Sequence, residues 1–298
     1  MGALSPEPTH LEVHRRGPIS VYLVPVRAGR LDLDDLFRLP SLLSAVPGDA
    51  SRQTGRVTSW LWRPRWHDGP GLRVRQYAHG GALGRLTGTA FLGCRRMLNE
   101  LRVAAHAYAH GVPTPPPVAL RIERTGGLFV RAHLITENVP DAVNLLELLA
   151  LADRRAPSEG ARRRLCHAVA DAVAAMHDAG IVHADLNLKN LLIVDAFDAP
   201  RVLVIDFDRS CLRRSPSLRE RLANLRRLDR SVLKWAASRR AATLRDRLRT
   251  LRCYLTRYER WRAGWGRTAV RCSGGSLRHG LTRERGRTER RDRPGAIG

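Results

Sequence analysis

The chain has 298 residues, 43% of them apolar and 27% charged, with 52 Lys+Arg against 28 Asp+Glu and a formal net charge of +24. That length makes one large domain or two small ones with room for a core, and the apolar share excludes wholesale disorder. Apolar runs such as 19–26 and 202–205 fall far short of the about 20 residues that a spanning helix needs, and the acidic, polar start has no apolar secretory core, so the cytosolic side of a membrane is the expected compartment. Five cysteines without a CxxC pair argue against a disulfide scaffold or a structural zinc site. Nucleic acid, an anionic membrane surface and a phosphorylated substrate would each attract so basic a chain, and the sign of the charge does not choose among them.

In chain order, the first 50 residues offer one strand, 19–26, then an acidic, turn-rich stretch around 31–37, and read as a partly ordered N-terminal extension. Residues 54–77 read as a hairpin turning at 67–71, closed by Gly80 and Gly81. Met97, Leu101, Ala104 and Tyr108 recur at three- and four-residue spacing and predict a helix over 94–110, stopped by Gly111 and Pro113. Strands are expected at 118–121 and 128–135 around Gly126 and Gly127, and a break at 137–140.

Beyond the break the pattern is mainly helical. A short helix is expected around Leu145–Leu149, and a longer one over 161–179 with Leu165, Val169, Val173 and Met176 on one stripe. Buried strands are expected at 191–194 and 202–205, then a basic helical stretch over 217–262. The order predicts an α+β protein of two lobes, with an N-lobe at 51–136 and a catalytic C-lobe at 141–265. A disordered basic tail is expected over 273–298.

Two segments carry chemistry. His183-Ala184-Asp185-Leu186-Asn187-Leu188-Lys189-Asn190 lies between a helix and a strand, and Val204-Ile205-Asp206-Phe207-Asp208-Arg209 ends the next strand. Phosphoryl transfer from a nucleotide needs one carboxylate to orient a hydroxyl and take its proton, and oxygen ligands to hold Mg²⁺ against the triphosphate. Asp185 suits the first role and Asn190 with Asp206 the second.

These segments resemble the catalytic loop and metal-binding motif of the protein-kinase-like fold, with Asp206-Phe207-Asp208 in place of Asp-Phe-Gly. Their variant form is similar to the bacterial lipopolysaccharide core kinases, nearest those acting on 3-deoxy-D-manno-octulosonic acid (Kdo). Three further stretches fit: Arg75-Gln76-Tyr77-Ala78-His79-Gly80-Gly81; Glu100 followed by Gly111-Val112-Pro113-Thr114-Pro115; and Asn224-Leu225-Arg226-Arg227-Leu228-Asp229-Arg230-Ser231. The likeness covers about residues 50–240.

The resemblance implies a two-lobed kinase using ATP and Mg²⁺. Its acceptor would be a sugar hydroxyl, the 4-hydroxyl of Kdo on a lipid A precursor, at an anionic membrane face that the enzyme meets peripherally. A kinase-like enzyme acting on another small molecule or on protein Ser/Thr is the alternative, with the same catalytic residues. No zinc-finger spacing or aromatic RNA-reading motif supports a nucleic-acid partner. This chain has no lysine before Lys189, so Arg75 is the candidate for the usual phosphate-binding lysine, with Glu100 as its partner. A solvated strand cation and a surface helix residue are the plain alternatives for the two. Gly55 stands where the family has a Gly-Arg-Gly turn, with Val57 replacing the second glycine. Glu137 lies where the fold presents backbone to adenine. Lys189 either reaches the transferred phosphate or faces water, and His183 organises the loop rather than carrying a proton. Arg226, Arg227 and Arg230 either bind acceptor anions or line a solvated helix face.

Overall fold

The computed structural model describes residues 10–25, 31–45, 59–78, 89–152, 157–196, 198–236 and 242–274. Residues 4–258 form a compact unit, and 1–3 with 259–298 form a second, of which the backbone to Gly274 is described.

The N-terminal half is built on a seven-stranded antiparallel sheet. Its strands are β1 (Glu12–Arg16), β2 (Ile19–Leu23), β3 (Ser59–Trp62), β4 (Leu72–Gln76), β5 (Phe91–Leu92), β6 (Pro117–Gly126) and β7 (Phe129–Glu137), in the order β1-β2-β6-β7-β4-β3 with β5 beside the start of β7. Period-two alternation decides what each face meets. Leu72 and Val74 of β4 join Val21, Leu36, Phe37, Leu39 and Ile135 in one core, capped by the short helices α1 (Leu33–Phe37) and α2 (Leu39–Ala45). The opposite face packs Leu120, Ile122, Ala132 and Leu134 against Met97, Leu101 and Ala105 of helix α3 (Arg95–Ala109). Arg73 and Arg75 alternate with Leu72 and Val74, which turns them away from the first core.

The structure corrects the sequence reading here. The strand expected at 19–26 is β2, which pairs with β6 from Ile19↔Glu123 to Leu23↔Ala119, and a strand that was not expected, β1, pairs beside it at the sheet edge, so this part of the expected extension is built into the sheet. The acidic stretch expected to be turns is helix α1. Asp32 caps it, accepting the Asp34 amide at 2.9 Å, a local bond that makes acidic residues good helix starters.

After β8 (Val143–Asn144) come α4 (Leu145–Ala152) and α5 (Glu159–Asp178). Ser158 caps α5 by accepting the Ala161 amide at 3.2 Å. Next are β9 (Ile181–Val182), a 3₁₀ turn at Leu188–Asn190, β10 (Leu191–Val194), β11 (Arg201–Val204), β12 (Cys211–Leu212), α6 (Leu218–Ala236) and α7 (Leu244–Gly274). The apolar stripe expected on α5 is buried at Val169, Val173 and Met176, against Ile181, Leu191, Val204, Phe207, Leu228 and Tyr254. The single basic helical stretch expected over 217–262 is thus two helices, and the tail expected to be disordered from 273 begins as helix through Gly274; 275–298 lie outside the described residues. Gly180 takes a left-handed φ of 82° where the chain leaves α5, with the Arg213 carbonyl against its α-carbon, so a side chain there would meet backbone.

Candidate active site

Two loops converge at the ends of β10 and β11. The ladder pairs Leu191 with Val204, and beyond it the Ile205 amide donates to the Asn190 carbonyl at 3.0 Å. This register brings Asn190 and Asp206 to the same end of one strand pair. The loop from His183 to Asn190 folds on itself: Asn190 Nδ2 donates to the Asp185 carbonyl at 2.8 Å, and Asn187 Nδ2 to the same oxygen at 3.1 Å. Asn190 is buried while Asp185 is exposed, and among the described residues the Asp185 carboxylate accepts no hydrogen bond. It is left open to a hydroxyl.

His183 is fully buried and holds the loop open. Its Nδ1 accepts the Asp185 amide at 3.1 Å, which leaves the proton on Nε2, 3.1 Å from the Ile205 carbonyl. Burial lowers its pKa, so the ring stays neutral. The organising part expected of His183 matches this geometry.

Helix α6 supplies a brace that sequence reasoning did not resolve. Asn224 is fully buried; its Oδ1 accepts the His183 amide at 3.0 Å and its Nδ2 donates to the His183 carbonyl at 2.8 Å. The same Oδ1 accepts His177 Nε2 at 3.1 Å, and His177 Nδ1 accepts the Tyr254 hydroxyl of α7 at 2.8 Å. Ser231 Oγ, two turns along α6, accepts the Leu188 amide at 3.3 Å. Arg227 Nη1 reaches the His183 carbonyl at 3.3 Å, so Arg227 is in part a structural donor. Asn224 and Ser231 bound the Asn-Leu-x-Arg-Leu-x-Arg-Ser stretch, and their polarity on an otherwise apolar helix face was the available signal.

On the sheet side, Arg75 donates through Nη2 to Glu100 Oε1, and through Nη1 to Asp206 Oδ1 at 2.8 Å. Tyr77 donates its hydroxyl to Glu100 Oε2 at 2.6 Å, and the Arg75 guanidinium lies 4.9 Å from the Tyr77 ring centroid. Glu100 is 1% exposed, so the surface alternative for it falls. Burial works against the Arg75 charge, but Glu100, Tyr77 and Asp206 outweigh it and raise its pKa. Burial likewise raises the Glu100 carboxyl, with Arg75 pulling against it. The Asp206 backbone is left-handed, with φ 64°. Asn190 and Asp206 offer two hard oxygens, a number that suits Mg²⁺ in nucleotide sites, where phosphates and waters complete the shell.

The other expected residues divide. Glu137 ends β7 opposite Leu72, with its amide committed to the Pro116 carbonyl at 2.9 Å, at the passage from sheet to helices. Lys189 is exposed with Nζ 5.8 Å from the Trp235 ring centroid, which turns it toward α6. Gly55 lies outside the described residues.

A strand cation paired to a helix glutamate, a looped aspartate followed five residues later by an asparagine, and an aspartate after the next strand form the arrangement expected of a protein-kinase-like fold. The lipopolysaccharide kinase (Kdo/WaaP) family model matches residues 51–254, and the chain belongs to that family. It is similar to 3-deoxy-D-manno-octulosonic acid kinase of Vibrio cholerae, 32% identical over 190 residues, covering 62% of this chain and 74% of that one. The enzyme of the same name from Xanthomonas axonopodis pv. citri is 37% identical over 171 residues, 56% of this chain and 63% of the relative. Among solved structures, WaaP in complex with acyl carrier protein aligns with a TM-score of 0.50 and 25% identity over 86% of this chain and 96% of that one. The fold is therefore protein-kinase-like, and the chain is an ATP-dependent phosphotransferase with an alcohol acceptor.

Proposed function

We propose that the enzyme transfers the γ-phosphate of ATP to the 4-hydroxyl of Kdo in the lipopolysaccharide inner core. The observation that carries the phosphotransfer reading is the open Asp185 carboxylate on a loop tied through Asn190 to the Asp206 loop. In this reading Asp185 orients the acceptor hydroxyl and takes its proton as the oxygen bonds to phosphorus. The bond to the β-phosphate oxygen breaks and ADP leaves with the electron pair. Asn190 and Asp206 would hold Mg²⁺, which would supply charge neutralisation to the phosphates. Arg75, positioned by Glu100 and Tyr77, would pair with the phosphates. Gly55 and the Glu137 backbone belong to the nucleotide side. Lys189 keeps its place as a candidate phosphate contact, which its approach to Trp235 weakens. The nucleotide-binding N-lobe would then run over 51–136, joined by β1 and β2, and the catalytic C-lobe over 141–265.

The similarity to Kdo kinases supports the Kdo acceptor. Purified Kdo-lipid A with radiolabelled ATP, followed by mapping of the product, tests it. Phosphate on the 4-hydroxyl supports it; phosphate elsewhere, or transfer only to soluble metabolites or protein, rejects it in favour of the alternative acceptors.

A lipid-linked acceptor at the cytoplasmic face of the inner membrane fits three features. No helix among the described residues is long and apolar enough to cross a membrane. The net charge is +24. An apolar cavity of about 420 Å³ lies between α4, α5, α6 and α7, beside Leu188 of the catalytic loop. The WaaP structure was solved with acyl carrier protein, a partner that joins the candidates for this chain. Removing residues 275–298 should weaken binding to anionic vesicles at low salt and spare turnover of a soluble Kdo acceptor, which sedimentation and a coupled assay measure on the same two proteins.

A further inference from the structure

Asp208 stands where the ordinary motif has glycine after Asp-Phe. The left-handed residues of this loop are Asp206, with φ 64°, and Arg209, with φ 56°; Asp208 is not one of them. A side chain is therefore tolerated at 208, and this one reaches helix α3. Arg96 Nε donates to Asp208 Oδ1 at 2.6 Å, and Arg96 Nη2 donates to Oδ2, a bidentate fork. One turn on, Asn99 Nδ2 donates to the Ser210 carbonyl at 2.8 Å, and the buried Ser210 accepts the Ala184 amide on its Oγ at 3.3 Å. Arg96, Asn99 and Glu100 share one face of α3, at helical spacings of three and four.

We propose that Arg96 and Asp208, seconded by Asn99 and Ser210, are the positioning residues that hold Asp206 in its metal-binding conformation and register its loop against the helix carrying Glu100. The inference rests on the kinase reading of Asp206. Left-handed backbone at a residue other than glycine is disfavoured and persists only where its surroundings impose it. In this structure the Asp206 carboxylate is paired with Arg75. A cation at Asp206 would compete with Arg75 for the same carboxylate, whose Oδ1 the guanidinium now holds at 2.8 Å. The Arg96–Asp208 fork involves neither Arg75 nor Asp206, so it holds the loop whether or not a cation engages Asp206. The common motif manages with glycine at this position; here the carboxylate makes the loop position depend on α3.

The test uses the full chain and measures ATP affinity by calorimetry with Mg²⁺ and with EDTA. Asp208→Asn and Arg96→Gln should each weaken Mg²⁺-dependent ATP binding about tenfold, the loss expected for one charge-assisted pair, and leave affinity in EDTA as in the wild type. Asp208→Gly should lose as much, although it restores the common motif. The double exchange Arg96→Asp with Asp208→Arg should recover part of the loss. Variants that bind Mg²⁺-ATP like the wild type overturn the proposal. So does an equal loss with and without Mg²⁺ accompanied by a lower Tm, which marks a merely structural contact, and so does an exchange no better than the single changes. A wild-type protein whose ATP affinity ignores Mg²⁺ removes the kinase reading of Asp206 and this proposal with it. Wild-type Mg²⁺ dependence with silent variants removes the proposal alone.

Discussion

The two loops of the site are held by different forces. The Asp185 loop is braced from α6 by neutral, buried hydrogen bonds: Asn224 grips both backbone polar groups of His183, and Ser231 takes the Leu188 amide. The Asp206 loop is held from the sheet and α3 by ion pairs whose members are partly exposed, Arg75 with Asp206 and Arg96 with Asp208. Buried neutral bonds are costly to leave unmade and insensitive to salt, so the first loop is fixed. Ion pairs near solvent are screened by salt, so the second loop is the more adjustable, Arg75–Asp206 being the pair that a cation at Asp206 would compete with and Arg96–Asp208 the one it would leave alone. In the proposed reading, the loop that would orient an acceptor is the rigid one, and the loop that would take up a charge is the adjustable one.

The largest expected effect lies on the rigid loop. Asp185→Asn should lower transfer roughly a thousandfold, in the range of general-base loss, and leave Mg²⁺-ATP affinity within a few fold. Single-turnover transfer with radiolabelled ATP beside calorimetry separates the two; near-normal turnover would remove Asp185 from the role. On the adjustable loop, Asp206→Ala should weaken nucleotide binding in Mg²⁺ roughly a hundredfold and little in EDTA. An unchanged metal dependence would end the contrast between the loops. Arg75→Lys should keep more activity than Arg75→Ala, since a point charge still meets phosphate though not the Glu100–Asp206 fork.

The brace gives a stability effect. Asn224→Ala leaves the His183 amide and carbonyl without their side-chain partner and should cost about 2 kcal/mol by denaturant unfolding, with turnover falling alongside. Asn224→Asp keeps the acceptor and loses the donor at 2.8 Å, and should fall between. A cost equal to that of an exposed substitution would mean that α6 does not hold the loop.

The smallest effect is acid sensitivity, and each region has its own histidine. Burial lowers His133 in the sheet and His177 beside Asn224 from the ordinary 6.5 to about 4. Both are neutral when folded and take a proton when unfolded below 6.5. Their stabilisation is complete above 6.5 and drains as pH falls toward 4, at about 1.4 kcal/mol per pH unit for each. His133 Nδ1 is buried without a partner among the described residues, so His133→Leu should flatten the acid slope by one histidine at little cost to neutral stability. His177→Leu should flatten it equally and destabilise at neutral pH, because the bonds to Asn224 and Tyr254 go with it. Urea midpoints across pH 4–7 distinguish the two.

Local chemistry made the site legible early. The spacing of Asp185 and Asn190 is set by one short loop and Asp206 follows the next strand pair, while helices α3 and α5 announced themselves by their apolar period. The strand expected at 19–26 is β2, but its edge partner β1 was harder to read, because Glu12–Arg16 alternates weakly and owes its strand state to pairing with β2, which pairs in turn with β6 about 100 residues away. Helix α1 was hidden because its first turn is acidic, which reads as turn until the buried Leu36 and Phe37 are seen beneath the sheet.

The sequence by itself determined the reaction class, since an aspartate, an asparagine and a second aspartate at those separations have few other uses. Which cation serves Asp206, which asparagine braces the catalytic loop and which arginine answers Asp208 were decided only by tertiary structure. Those pairs join residues 131, 41 and 112 positions apart, and at such separations nothing in the local pattern selects one partner among 52 cations. The selection comes from packing: once apolar stripes set how α3, α6 and the sheet lie, few side chains remain within reach of each buried polar group, and the cost of leaving such a group unpaired fixes the match.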